Sequence, residues 1–376
     1  LQDTPDISAN SSDICFEAGL AYQYRQGKNM KRLRFGIAGT GGIAHLHAAC
    51  LAGLAEEDIA ELVAGADIDM ERGRHFNAEW KVPVYPTIEE LVARPDIDAV
   101  TISAPSGLHC ELAIIAMKAG KHVLIEKPMD VLVSKVQEAV NVSKELGLTL
   151  GGIFQQRFPY GPRKVKQAIT EGYFGDIVFA HCETPWYRDQ SYYDSGDWRG
   201  TWKLDCGVLS NQAVHMIDRL TWLAGDVEEV LSATLQTGLH RKIEAETNAV
   251  VTLKLKTGGL ATITASTLIY GSMPQRVLIC GTTGSAVFSG DDLISFQTEK
   301  PFEFIEPISF DADQGSSDAG VSPLALGENS HKENIRDFAL AVLNGTQPSV
   351  GGDDGIRIVS LLNKIYEIAG VGPYAE

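Results

Sequence analysis

"RLRFGIAGTGGIAHLHAACLAGL", residues 32–54, decides the fold. Leu33 to Ala38 is a short apolar run of the kind that forms a buried strand. Gly39-Thr40-Gly41-Gly42-Ile43-Ala44 fits G-x-G-x-x-G/A, and a helical pattern continues to about Leu54. In such a strand–turn–helix unit the first glycine permits a tight turn and the second lets the backbone approach a pyrophosphate. The last small residue lets helix and strand pack closely. A second strand, "ELVAGAD", ends in Asp67, roughly 20 residues further on, where a carboxylate can accept hydrogen bonds from an adenosine ribose. Asp67 would repel a 2′-phosphate and Ile68 cannot bind one, so NAD is favoured over NADP.

The alternation continues outward from this unit. Helix 69–78, the extended "VPVY", helix 87–93, strand "DAVTISA", helix 108–119, strand "HVLIE", helix 132–146 and strand "TLGGIF" follow in turn. Such alternation predicts a parallel, right-handed, doubly wound sheet, an α/β Rossmann domain over residues 31–152. "APSGLH", 104–109, follows the fourth strand on the carboxyl edge. Two roles are open to Ser106 there: contact with the cofactor, together with His109, or a cap on the next helix. In "AGKHVLIEKPM", 119–129, Glu126 and Lys127 end the fifth strand beside the crevice where ligands of open α/β sheets bind. A lysine there can hydrogen-bond a hydroxyl and stabilise the alkoxide that forms as hydride leaves carbon. A positive oxidised nicotinamide would lower its pKa, and Pro128 locks the residue that follows.

These segments resemble the Gfo/Idh/MocA family, named for glucose-fructose oxidoreductase, inositol dehydrogenase and a rhizopine-catabolism protein. The resemblance runs from about residue 33 to the end. It rests on "GIAGTGGIA", on "APSGLHCELAIIAMKAGKHVLIEKP" and on "LSNQAVHMIDRLTWLAG". It implies a Rossmann domain followed by an α/β domain with a large, mostly antiparallel open sheet, here 153–376. The implied activity is NAD(P)-dependent oxidation or reduction of a sugar, cyclitol or nucleotide-sugar hydroxyl. The family also contains non-catalytic regulators, which lose the lysine or the histidine, and NAD-dependent glycosidases. A homodimer or homotetramer through the C-terminal sheet is expected, with the last helices packed back on the domain junction.

The second half carries β-rich runs such as "NAVVTLKLKTGGLATITASTLIY", with a hairpin at Lys256-Thr257-Gly258-Gly259, and a polar, acidic loop over 308–327. Its chemical core is "WRGTWKLDCGVLSNQAVHMIDRLTWLAG", 198–225. On one helix, Asn211, His215 and Asp218 would share a face. Hydride transfer from an alcohol requires a base for the hydroxyl proton, and histidine titrates near neutrality. His215 matches the family's motif histidine, so Lys127 and His215 are the expected catalytic pair. Asp218 could orient the imidazole or pair with a charge elsewhere. Many relatives carry aspartate where this chain has Asn211, which can hold a hydroxyl but cannot relay a proton. The usual glycine triplet reads Cys206-Gly207-Val208. Aromatic residues and arginines in "ETPWYRDQSYYDSGDWRGTW", with Tyr187, Arg188 and Arg199, and Arg157 nearby, would suit a sugar acid or nucleotide sugar, or else serve the core.

Totals narrow the remaining classes. A net charge of −17 argues against nucleic acid or an anionic membrane as partner. Six scattered cysteines without a C-x-x-C pair read as free thiols in a reducing cytoplasm, with no metal site. No run is long and apolar enough to span a bilayer. Residues 1–30 lack the pattern of a signal peptide and read as a disordered extension.

Overall fold

Six short runs of small and branched apolar residues form the first sheet. The computed structural model describes residues 32–304 and 328–373, so the expectations for 1–30 and for 308–327 lie outside the described residues. β1 (Leu33–Ala38), β2 (Ala60–Ala66), β3 (Val84–Tyr85), β4 (Ala99–Ile102), β5 (His122–Ile125) and β6 (Leu150–Gly152) lie in the order β3-β2-β1-β4-β5-β6. Every neighbouring pair is parallel. The crossovers contain α1 (Gly42–Glu56), α2 (Met70–Trp80), α3 (Ile88–Val92), α4 (His109–Lys118) and α5 (Val133–Leu146). Side chains start two of these helices. Asp69 accepts from the backbone N–H groups of Glu71 and Arg72, and the Thr87 hydroxyl from that of Glu90. Strand order reverses between β1 and β4, which opens a crevice at their carboxyl ends.

The second sheet follows α6 (Tyr160–Thr170). It contains β7 (Ile177–Pro185), β8 (Val227–Thr237), β9 (Glu246–Leu255), β10 (Leu260–Ser266), β11 (Arg276–Gly281), β12 (Gly284–Ser289) and β13 (Asp292–Thr298). Their order is β13-β12-β11-β7-β10-β9-β8, antiparallel except where β10 meets β7. Alternation sets the faces. In β10, Ala261, Ile263 and Ala265 are buried while Thr262 and Thr264 are not. Three helices lie between β7 and β8: α7 (Gln190–Asp194), α8 (Val208–Asn211) and α9 (Val214–Ala224). The sheet's inner face, with Val251, Ile263, Val277 and Ile279, shares one core with Ile217 and Leu220 of α9. The β9–β10 hairpin turns at Gly258, whose φ of +86° needs a glycine.

The last two helices, α10 (Glu328–Asn344) and α11 (Gly352–Ala369), return to the chain's crossing points between the sheets. Asn334 of α10 accepts from Phe154 N at 2.9 Å and donates to Gly152 O at 3.2 Å. Asn363 of α11 does the same for Val133 N and Val131 O, at 2.9 and 2.8 Å. Ile335, Phe338 and Ala339 complete a core cluster with Phe35, Ile37, Leu124 and Ile153 of the first half. Gly151 is required there, because a Cβ would come 2.6 Å from the Phe338 ring.

Among the described residues no helix is long and apolar enough to cross a membrane. Among the described residues Cys50, Cys110, Cys182, Cys206 and Cys280 form no disulfide.

Candidate active site

The glycine turn after β1 is built for close approach. Gly39 has φ +91°, and a Cβ there would sit 2.8 Å from the Ser103 backbone at the end of β4. Gly41 and Gly42 face open space, and Gly41 at the N-cap brings no side chain to the first-turn N–H groups of α1. Those groups are left for an anion, which is what a dinucleotide pyrophosphate needs. Thr40 is buried and Ile43 half-buried. Asp67 accepts at one oxygen from Thr40 N (2.8 Å) and Thr40 Oγ1 (3.0 Å), and at the other from Asp69 N (2.8 Å). A carboxylate oxygen has about two acceptor positions; Oδ2 is filled by Thr40, with Arg72 Nη1 a further, long donor to it, while Oδ1 accepts only from Asp69 N among the described residues and keeps one position for a ribose hydroxyl. Arg72 Nη1, on a half-exposed side chain, stands 3.5 Å away.

Glu126 and His109 were both expected at the cofactor, and the structure turns both side chains inward. Glu126 Oε1 pairs with His47 Nε2 at 2.8 Å, and His47 Nδ1 meets Thr101 Oγ1 at 2.9 Å. Burial opposes the charge on Glu126, but the His47 hydrogen bond and neighbouring positive groups hold its carboxyl well below the usual range. Its second oxygen accepts from Lys127 N at 3.0 Å, so Glu126 braces the lysine's backbone. His109 places its ring nitrogens on the carbonyls of Pro128 (2.8 Å) and Ala104 (2.7 Å), stapling the β4 loop to the loop after β5. The peptide between Lys127 and Pro128 is cis. Ser106 is buried in a 3₁₀ turn, makes no cap hydrogen bond, and lies beside Gly107, whose N–H donates to Leu204 O at 3.0 Å. The β4 loop is thereby docked on the segment that leads to His215.

That segment is not one helix. Gln212 N and Ala213 N both return to Val208 O, at 3.1 and 2.8 Å, which closes α8, and α9 starts afresh at Val214. The expected single face of Asn211, His215 and Asp218 is therefore broken. The break leaves the Asn211 carbonyl to a new donor, Lys127 Nζ, at 2.9 Å. The turn before α8 depends on Cys206 at φ +61° and on Gly207, where a Cβ would meet Glu246 O at 2.2 Å. Only glycine fits at 207. At 206 a side chain is held in the left-handed region.

Lys127 and His215 are brought together at this junction. Burial lowers the Lys127 pKa, against the attraction of Glu126 and Asp205, with Arg199 and Arg188 adding to the depression. The depression anticipated for a bound nicotinamide thus already exists in the protein alone. Burial, then the Lys127 charge, hold His215 well below its ordinary value, so its imidazole is neutral. His215 Nδ1 is buried without a hydrogen-bond partner, while Nε2 lies 3.5 Å from Gln155 Nε2. An amide nitrogen can only donate, so Nε2 faces it with its lone pair and the neutral ring carries its hydrogen on Nδ1; Nε2 is the nitrogen that can receive a ligand's proton.

Asp218 and Arg157, both expected at the substrate, are instead committed to each other. Arg157 Nε donates to Asp218 Oδ2 at 2.7 Å and its Nη2 to Asp354 Oδ1 at 2.8 Å, while Arg357 also reaches Asp218, at 2.9 Å. Both are nearly fully buried. Isolated buried charges are too costly to leave unpaired, and this cluster joins α9 to α11. Asp218 thus makes no contact with the imidazole.

Arg199 lies between two rings, 4.4 Å from the Trp198 centroid and 4.5 Å from that of Tyr192. Its Nη1 donates to Tyr192 Oη at 2.8 Å, and Gln212 Nε2 donates to the same oxygen at 3.2 Å. Tyr187 packs edge-on against exposed Tyr270, with Arg241 over its ring. Tyr192, Gln155 and Asp205 are absent from the sequence expectations. The aromatic run flagged the region of Tyr192 but not its contact. Nothing in the local pattern marked Gln155 or Asp205.

Comparison with known proteins matches this architecture. Residues 33–153 fit a family described as "Oxidoreductase family, NAD-binding Rossmann fold" and residues 163–287 the "GFO/IDH/MocA C-terminal domain". The WlbA dehydrogenase from Bordetella pertussis, solved with NADH and UDP-GlcNAcA, is 29% identical with a TM-score of 0.79. That match covers 90% of this chain and 97% of the other. Myo-inositol 2-dehydrogenase of Thermotoga maritima is 26% identical over 86% of this chain and 92% of its own. 1,5-Anhydro-D-fructose reductase of Ensifer adhaerens is 27% identical over 84% and 91%.

Proposed function

The chain belongs to the Gfo/Idh/MocA oxidoreductases, NAD-binding dehydrogenases, and on that premise we propose that it transfers hydride at a secondary hydroxyl of a sugar, cyclitol or nucleotide sugar. The observation that carries this reading is a buried, neutral His215, its Nε2 lone pair opposed only by the Gln155 amide at 3.5 Å among the described residues, in the field of Lys127. NAD, when bound, accepts or returns the hydride. Gly39, Thr40, Gly41, Gly42 and Ile43 would hold its pyrophosphate, and Asp67 its adenosine ribose, with NAD preferred over NADP.

The remaining chemistry belongs to the protein's own groups. His215 takes the hydroxyl proton in oxidation and returns it in reduction. Lys127 donates to the same oxygen, stabilising the negative charge that develops there. Its depressed pKa makes it a readier proton donor than an exposed lysine. Asn211 holds a neighbouring hydroxyl. We assign to Arg199, Arg188 and Tyr187 the recognition of an anionic or ring-bearing part of the substrate, in keeping with the nucleotide sugar acid held by the Bordetella relative. In this reading residues 31–152 are the cofactor domain and 153–376 the substrate and oligomerisation domain.

The outer face of the second sheet supports self-association into a homodimer or homotetramer. Phe179, Val250 and Leu260 are exposed there, at 39%, 56% and 51%, an apolar patch of the kind that marks an interface. The free thiols suit a reducing cytoplasm. A panel of sugars, sugar acids, inositols and UDP-hexoses with NAD, followed by NADH absorbance, tests the activity. NADH formation with a sugar-type substrate is the expected outcome. Release of free sugar from an aryl glycoside without net NADH would replace it with a glycosidase.

A further inference from the structure

Asp205 takes no part in the chemistry above, yet it is 2% exposed and lies against the site. It ends the turn that precedes Cys206. One of its oxygens accepts from Gly200 N at 2.8 Å and the other from Asn211 Nδ2. An ionised carboxylate can only accept, so it draws the Nδ2 end of the Asn211 amide toward itself and leaves Oδ1 on the opposite side. The Asn211 backbone carbonyl meanwhile accepts from Lys127 Nζ at 2.9 Å. Asn211 is thus held by an anion through its side chain and by a cation through its main chain.

We propose that Asp205 is the positioning residue of this site: it orients the Asn211 amide so that Oδ1 accepts from a substrate hydroxyl, and its charge supports the Lys127 ammonium. The proposal rests on the dehydrogenase reading and extends it. Charged and titratable groups face Asp205 from every side. Arg199 and Lys127 favour its ionised form, and Tyr192, Tyr193, Cys206 and Glu246 stand around it. Burial, the strongest influence, raises its carboxyl to about 6. Once protonated it becomes a donor, and the amide can then turn Nδ2 toward the substrate, presenting a donor where an acceptor is required.

The test uses the full chain with its aspartate carboxyl carbons 13C-labelled. NMR should show one resonance, absent from Asp205→Asn, that titrates near pH 6, with the Asn211 side-chain amide signals moving at the same midpoint. A carboxyl titrating in the ordinary aspartate range, or an Asn211 amide indifferent to it, overturns the proposal. This arm needs no substrate, so a failed sugar screen would sink the dehydrogenase reading without deciding the role of Asp205. With a substrate in hand, Asp205→Asn should raise KM about 10-fold or more, the effect of losing one well-placed hydrogen bond. NAD binding should stay intact, and the acid limb of kcat/KM should move down toward the limb set by His215. Asp205→Glu should restore part of the loss. An acid limb that stays in place with KM unchanged would also overturn the proposal.

Discussion

At the scale of single residues, the proposed chemistry rests on two groups, Lys127 and His215, whose pKa values burial lowers. Lys127→Ala and His215→Ala are each expected to cost at least ~100-fold in turnover, the range for an alkoxide stabiliser or a general base. Neither touches the glycine turn, so calorimetric NAD binding should be unchanged, and near-normal turnover in either variant would remove that residue from the mechanism. Cofactor choice is a separate matter. Asp67 opposes a 2′-phosphate, and Arg72 stands beside it and beside Asp69. Asp67→Ser should therefore narrow the NAD preference strongly by leaving Arg72 to attract the phosphate. Tighter NADP than NAD binding by the unmodified protein would contradict the assignment. The place of Lys127 at the end of β5 was legible in the strand–helix alternation, whereas His215 was singled out through the family resemblance. Arg157 and Asp218 misled for a physical reason. A charged side chain in sequence does not disclose whether its counter-charge is a ligand or, as here, another residue 61 positions away.

At the scale of elements, the parallel strands and their helices were readable because period and glycine punctuation agree. The break between α8 and α9 was not. Its cause is tertiary, a turn packed against Glu246 that no helical propensity reveals. Glu246 anchors the start of α8, accepting at Oε1 from Leu209 N (2.9 Å) and Tyr366 Oη (3.0 Å), while Oε2 is buried without a partner. Burial raises its carboxyl to about 7. The folded chain therefore binds this proton more tightly than the unfolded one. Its contribution to stability is greatest below the unfolded value and is lost as pH rises toward 7. Glu246→Gln keeps the accepting oxygen and removes the titration. Its thermal midpoint should vary less than that of the parent between pH 5 and 8, and it should be relatively more stable at pH 8 by on the order of 1–3 kcal/mol. Parallel pH profiles for the two proteins would show that Glu246 titrates normally.

At the scale of the whole molecule, exposed apolar side chains stand on one face of the second sheet among the described residues. Phe179 and Leu260 are paired across β7 and β10, and exposed Val250 on β9 pairs with Thr264, four residues further along β10 on the same face. If that face joins copies, the double variant Phe179→Glu/Val250→Glu should sediment as a monomer, since like charges would be buried against each other. Unchanged sedimentation would place any interface elsewhere. The long-range architecture was legible only through resemblance, because strand order in an antiparallel sheet is not written in local pattern. Asn334 and Asn363, which tie the late helices to the crossing segments, carried no signal at all. Those ties bear on how the chain is made. During synthesis the nucleotide-binding half leaves the ribosome before the side chains that close its core, Ile335 and Phe338, which are translated 300 residues or more after Phe35. The emerging protein must hold an open apolar face around Phe35 and Ile37 until then, so a prematurely terminated chain would offer chaperones and proteases a target that the finished protein conceals.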